Sequence, residues 1–217
     1  MHINSSRGWT LIEMLVILII LGILSAIAGP EIFKALRSEN QVKTAAKNLI
    51  VDLKFAENEA IRSGGGDMTA GGVLASRSVF AIFSTSVNTY GVTAYTDANG
   101  NNTREAAPLD AITNLMTSKE LANKVTFGTI SAVNSIACTT TAGTPAASVS
   151  FAVDALTPCD GNPCVEFNAN GFPKFTGTTS SGQIYLTNGS DAYAISMNAA
   201  GLMTLCKWDG TKWQITH

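Results

Sequence analysis

The chain has 217 residues, 46% of them hydrophobic and only 14% charged, with 19 glycines and a formal net charge of −2. This composition points away from a charged cytosolic enzyme and toward an exported β-rich domain. The near balance of charge excludes recruitment of nucleic acid by the field of the whole domain. Catalysis also has little to work with. The two histidines are His2 and His217, so a Ser-His-Asp or Cys-His arrangement would rest on a chain end, and the acidic residues of the second half are scattered singly through turns. The expectation is a non-enzyme without a cofactor or metal.

In chain order, a polar leader, Met1 to Gly8, carries Arg7 directly ahead of an apolar run. As a helix, Trp9 to Gly29 would rise ~31 Å, about the hydrocarbon thickness of a bilayer. Glu13 is the single carboxylate inside it, and a charge there costs roughly 2.5 to 3.5 kcal/mol unless paired. A cut between Gly8 and Trp9 supplies the partner, because the new ammonium group at Trp9 lies four residues from Glu13. In a stack of such helices one subunit's carboxylate meets another's amino terminus. Arg7 holds the leader on the cytoplasmic side. Two rivals compete with this reading. One is an ordinary secretory signal ending at Ala26-Ile27-Ala28, and the other is a plain single-span anchor with Glu13 at the headgroups. Neither accounts for Gly8 and Glu13 together.

Gly8, Trp9, Thr10, Leu11, Ile12 and Glu13, followed by a long apolar helix with Pro30 at its far end, resemble the class III leader of type IV pilins and type II secretion pseudopilins. The resemblance implies cleavage after Gly8 by a prepilin peptidase, methylation of Trp9 and an assembly role for Glu13. Phenylalanine is the family's usual residue where Trp9 stands.

Beyond Pro30 the helical period continues, with Val42, Ala46, Leu49, Leu53, Ala56 and Ala60 on one face. Gly29 and Pro30 predict a kink at the membrane surface. Gly64, Gly65 and Gly66 predict the helix end; a phosphate cradle would need a following Gly-Lys-Ser/Thr, which is missing. Short runs rich in Val, Ile, Phe and Tyr then predict strands at Val79–Phe83, Tyr90–Tyr95, Lys124–Ile130, Ser148–Val153, Cys164–Asn168, Gln183–Thr187, Ala192–Asn198 and Leu202–Trp208. Asp209-Gly210 and the Asn198–Gly201 stretch predict hairpin turns. Asp97, Asn99 and Asn101 alternate as calcium ligands would, with Glu105 nearby, but Asn102 and Pro108 stand where an EF-hand needs glycine and glutamate, so a polar turn is expected. Cys138, Cys159, Cys164 and Cys206 make two disulfides in one of three connectivities, the Cys159–Cys164 loop being able to close on itself. A zinc site is disfavoured, since no histidine lies near the cysteines.

The expected fold is α+β: a long kinked N-terminal helix, transmembrane then amphipathic, packed on antiparallel β-sheet. The boundaries are a leader at 1–8, a membrane and assembly helix at 9–29, its amphipathic continuation at 30–64 and a β-rich domain at 65–217. The helix end Phe55–Gly64, the loop Tyr95–Asn101, the strand-turn Val165–Phe172 and the stretch Ala194–Gly201 together look like the GspH/FimT family of minor pilins and pseudopilins. That resemblance implies an inner-membrane protein with its domain on the periplasmic side, assembling with other pilin or pseudopilin subunits at or near a filament tip. Some members of that family resemble DNA receptors, using arginines after a glycine near the carboxyl end. Here Gly201-Leu202-Met203-Thr204 has none, and Lys207, Trp208, Lys212 and Trp213 offer only two charges and two stacking faces. DNA is therefore an alternative partner, not the favoured one.

Overall fold

The computed structural model describes residues 11–63, 76–101, 104–105, 109–122, 124–131, 133–139, 143, 145, 147–151, 153–156, 158–175 and 181–216, over 26–37 in backbone only. Gly8, Trp9 and Gly64 to Gly66 lie outside the described residues. The chain forms two compact units, Met1–Asn40 and Gln41–His217.

One helix, α1, runs from Leu11 to Ser63, and its backbone stays helical through Gly29 and Pro30. Its first turn carries Glu13 and its last Arg62, the signs that suit the helix dipole at each end. Within the second unit the anticipated stripe is buried: Val42, Ala46, Leu49, Leu53, Ala56 and Ala60 are each at most 1% exposed. Alanines at three of these six positions let the backbone approach the sheets closely. Leu49 and Leu53 fill the space between, each burial contributing roughly 1.5 to 3 kcal/mol.

Two antiparallel sheets receive that stripe, where the sequence reading had anticipated sheet without dividing it. The first joins β1 (Ser76–Ser84), β2 (Thr89–Asp97), β3 (Ala111–Glu120), β5 (Val153–Asp154) and β6 (Asn162–Phe167) in the order β3-β2-β1-β6-β5, with β7 (Pro173–Lys174) beside β6. The second joins β4 (Thr126–Phe127), β8 (Ser181–Thr187), β9 (Ala192–Asn198), β10 (Met203–Trp208) and β11 (Trp213–Ile215) in the order β11-β10-β9-β8-β4. Strand alternation divides each sheet's side chains between two layers. Val79, Ala81, Phe83, Val92, Val165, Phe167, Ile184, Leu186, Ile195 and Leu205 join the α1 stripe in one core. Phe80 and Tyr95 on the other face of the first sheet form a small cluster with Cys159, and Tyr185, Ala194, Cys206, Trp208 and Trp213 form another on the second.

Two twin turns bring the sheets to the end of α1. After β6, Asn168 Oδ1 accepts from the N–H groups of Asn170 at 2.9 Å and Phe172 at 3.1 Å. After β9, Asn198 Oδ1 accepts from Ala200 and Leu202, both at 3.0 Å. Each turn closes through a glycine at positive φ, Gly171 at 80° and Gly201 at 75°. A side chain at Gly171 would collide with Ile61, its Cβ lying 2.7 Å from that residue's atoms. The Asn198–Gly201 and Asp209-Gly210 turns thus form as expected; Asp209 Oδ1 accepts from the N–H groups of Thr211 and Lys212, both at 2.8 Å, between β10 and β11.

Two strand expectations needed correction, and β3 and the two-residue β7 were not anticipated. Lys124–Ile130 forms a ladder only at Thr126–Phe127, and Ser148–Val153 only an isolated bridge at Val149 before β5 begins at Val153. In both latter segments Phe127, Val149 and Phe151 are buried from irregular backbone, so apolar content there reports core filling and not pairing.

Candidate assembly helix and the surfaces of the globular unit

The described start of α1, Leu11 to Ser25, is apolar on every side. Leu11, Ile12, Met14, Leu15, Val16, Leu18, Ile19, Ile20, Leu21, Ile23 and Leu24 are between 48% and 84% exposed. These residues circle the helix, since eleven of fourteen positions cannot fit one stripe at 3.6 residues per turn. Glu13 stands exposed in the first turn, where the helix dipole favours a carboxylate. Among the described residues no helix is long and apolar enough to cross a membrane. Trp9, whose amine was expected to pair with Glu13, is outside the described residues.

The four cysteines pair as Cys138–Cys206, with Cα atoms 5.6 Å apart, and Cys159–Cys164, 6.1 Å apart. This selects the connectivity in which the short loop closes on itself. Asp154 brings a carboxylate oxygen within 4.8 Å of the Cys159 and Cys164 sulfurs, a grouping with metal-like spacing. Its donors are committed elsewhere, because the sulfurs are bonded to each other and a metal ligand must be a thiolate. Asp154 pairs with Arg104, whose guanidinium also lies over the Phe80 ring, 5.4 Å from its centroid. Burial pushes the Asp154 carboxyl up, but the Arg104 guanidinium and the Leu156 N–H together hold it below its ordinary value.

The residues that alternate like calcium ligands turn toward the chain's own donors. Asp97 Oδ1 accepts from the Gly100 N–H at 2.8 Å, and Glu105 Oε2 accepts from Asn99 Nδ2 at 2.7 Å and Asn101 Nδ2 at 3.0 Å. Asp110, only 2% exposed, accepts from the Tyr95 hydroxyl, the Ala98 N–H and the Glu105 N–H. Among the described residues of this loop, these carboxylates accept from the chain's own donors, and Asp110 and the Glu105 N–H both meet the Tyr95 hydroxyl.

Of the residues considered for DNA, Lys212 is exposed and Lys207 half-buried, whereas Trp208 and Trp213 are 4% and 8% exposed. The two indoles meet edge to face at 5.5 Å between centroids, and Trp213 Nε1 donates to the Ser135 carbonyl at 2.9 Å. Neither ring offers the free face that base stacking needs.

Sequence reasoning missed the polar ties between helix and sheets. Tyr90 and Lys119 both reach Asp52 on α1, Lys54 Nζ donates to the Gly201 carbonyl at 3.2 Å, and Arg77 lies 4.0 Å from Glu59. The Lys54–Glu57 and Glu59–Arg62 pairs are visible as i,i+3 spacings. The ties between helix and sheets join residues far apart in sequence and carry no local sign.

Residues 3–29 match the family described as the prokaryotic N-terminal methylation motif. No curated protein and no solved structure matches the chain. The motif supports a type IV pilin-like protein processed by prepilin peptidase, and the arrangement of one N-terminal helix followed by antiparallel sheets is consistent with a pilin-like α+β fold. Such a motif implies assembly with other pilin subunits.

Proposed function

We propose that this chain is a non-catalytic minor pilin or pseudopilin of the GspH/FimT type. It is held in the bacterial inner membrane by the first part of α1, cut between Gly8 and Trp9 and methylated on Trp9. It then enters a type IV pilus or a type II secretion pseudopilus at or near the tip. The observation that carries this reading is the methylation motif over residues 3–29 leading into a helix whose aliphatic side chains are exposed all round. Such a surface is unfavourable in water, at about 25 cal/mol per Å² of apolar area, and is relieved by lipid before assembly and by neighbouring helices after it. Glu13 sets the register by pairing with the amino terminus of a neighbour, which is why a carboxylate is kept at the head of an apolar helix. The globular unit faces outward to other subunits or cargo.

Intact mass and amino-terminal sequencing of the membrane-extracted protein, expressed with and without prepilin peptidase, test this. A peptidase-dependent start at Trp9 bearing one added methyl group is the expected result. A peptidase-independent start at Gly29 would mean an ordinary exported protein. Glu13→Ala is expected to leave cleavage intact and abolish incorporation into filaments, read by comparing sheared surface filaments with the membrane pool.

A further inference from the structure

The outer face of the second sheet is covered by a separate lobe. Val133 and Ala137 lie over Tyr185, Ala192, Ala194, Trp208 and Trp213, and among the described residues α1 contributes nothing to this cluster. The covering segment is bonded to the sheet at chosen points: the Gly128 N–H donates to the Tyr185 carbonyl at 2.9 Å, the Ala137 N–H to the Tyr185 hydroxyl at 3.1 Å, and Trp213 Nε1 to the Ser135 carbonyl. The packing is imperfect in polar terms, since Trp208 Nε1 and Ser135 Oγ are buried with no hydrogen-bond partner among the described residues. The covalent tie is Cys138–Cys206, joining the lobe to the middle of β10 across 68 residues of sequence. Cys159–Cys164 spans only 5 residues, within a loop that also has its own turn bonds, Cys159 N–H to Leu156 carbonyl and Asn162 N–H to Cys159 carbonyl, both 2.9 Å.

We infer that Cys138–Cys206 is a redox latch on this lobe: its reduction lets the segment carrying Val133, Ala137 and Cys138 lift from the sheet and uncovers Tyr185, Trp208 and Trp213, while the core packed on α1 stays folded. The chemistry is exchange with an external dithiol. One thiolate attacks a sulfur of the pair and forms a mixed disulfide, releasing the other cysteine. The reagent's second thiol then closes its own ring and releases the first, so two electrons and two protons pass to Cys138 and Cys206. The opening is local because, among the described residues, α1 adds no side chain to the cluster beneath the lobe, so that region can open as a unit of its own. Oxidation after export closes an aromatic surface that the reduced chain leaves open, and a dithiol reverses it.

The test is hydrogen exchange by mass spectrometry on the full-length chain in detergent micelles, before and after dithiothreitol, with alkylation and peptide mapping to record which cysteines were freed. Once Cys138 and Cys206 are free, peptides covering 133–139 and 203–215 should exchange at least tenfold faster while those covering 79–95 and 42–60 keep their protection. Loss of protection over the whole second unit would overturn the latch, because the bond would then hold the entire fold. No acceleration at 133–139 would overturn it equally. The Cys159→Ser, Cys164→Ser double variant retains Cys138–Cys206 and should respond to dithiothreitol as the natural chain does. If that variant fails to fold, partial reduction of the natural chain sorted by alkylation state gives the same comparison.

Discussion

The Tyr90 hydroxyl donates to Oδ2 of Asp52 at 2.6 Å, and Lys119 Nζ donates to the same oxygen at 2.8 Å. One carboxylate on α1 therefore holds the adjacent strands β2 and β3. Asp52→Ala removes both bonds and leaves the Tyr90 hydroxyl, on a residue only 5% exposed, without its acceptor. The expected loss is roughly 2 to 3 kcal/mol, the range for a hydrogen bond to a charged group plus a stranded donor. Lys119→Ala, at a side chain 47% exposed, should cost under about 1 kcal/mol. Urea unfolding followed by circular dichroism measures both. Equal costs would mean that the ion pair, and not the buried phenol, carries the tie.

The tyrosines give a pH signature. Burial pushes Tyr95 up to about 12, and the adjacent Asp110 carboxylate adds to the effect. Burial likewise raises Tyr90, helped by Asp52, and Tyr185. The folded state therefore favours the neutral phenols. Their stabilisation is fully present below the unfolded value of about 10, and for Tyr95 it is lost as pH rises from there through about 12. Tyrosinate absorbance at a pH of about 11 should show Tyr90 and Tyr95 still protonated in the folded protein and ionised in urea, where the ordinary value near 10 applies. Tyr95→Phe should flatten the alkaline fall in stability. An unchanged fall would place its cause elsewhere.

How far the sequence carried the fold depended on where each residue's neighbours lie. The α1 stripe was legible because Val42 through Ala60 repeat at helical spacing and all face one core. β9 and the Asp209-Gly210 hairpin were legible because a short apolar run bounded by turn residues, and the turn chemistry itself, are local signals. β3 was not: Ala-Ile-Thr-Asn-Leu-Met-Thr-Ser-Lys-Glu lies at a sheet edge, largely exposed, with no two-residue apolar period. Its pairing with β2 also slips twice, from Tyr90–Lys119 to Val92–Met116 and on to Thr93–Asn114, each slip inserting an extra residue in β3. Bulges of this kind turn an edge strand away from further pairing and blur the alternation that would announce it. The disulfide connectivity was also beyond the sequence, because bringing Cys138 to Cys206 depends on a loop crossing the second sheet. For the assembly helix the reverse held: Gly8, Glu13 and the apolar run are contiguous, so the matched motif could be read directly.

A last expectation concerns Gly182 in β8, opposite Met197. A Cβ built there would lie 2.0 Å from Cε1 and 2.3 Å from Cδ1 of Phe151. That ring is 5% exposed and is stacked between Phe83 at 5.5 Å and Phe175 at 6.0 Å, so it cannot swing aside without disturbing the core from which Phe83 also meets Phe127. Gly182→Ala should therefore destabilise by about 1 to 3 kcal/mol through overpacking, even though alanine in a strand ordinarily loses less backbone entropy than glycine. Phe151→Ala alone should cost roughly 3 to 5 kcal/mol. In that background the space beside Gly182 is open, and Gly182→Ala should become neutral or mildly stabilising. A double-mutant cycle by urea unfolding reads the coupling, expected at 1 kcal/mol or more, about the range for residues in contact. Simple additivity would mean that the ring relaxes freely and that glycine is kept at this position for another reason.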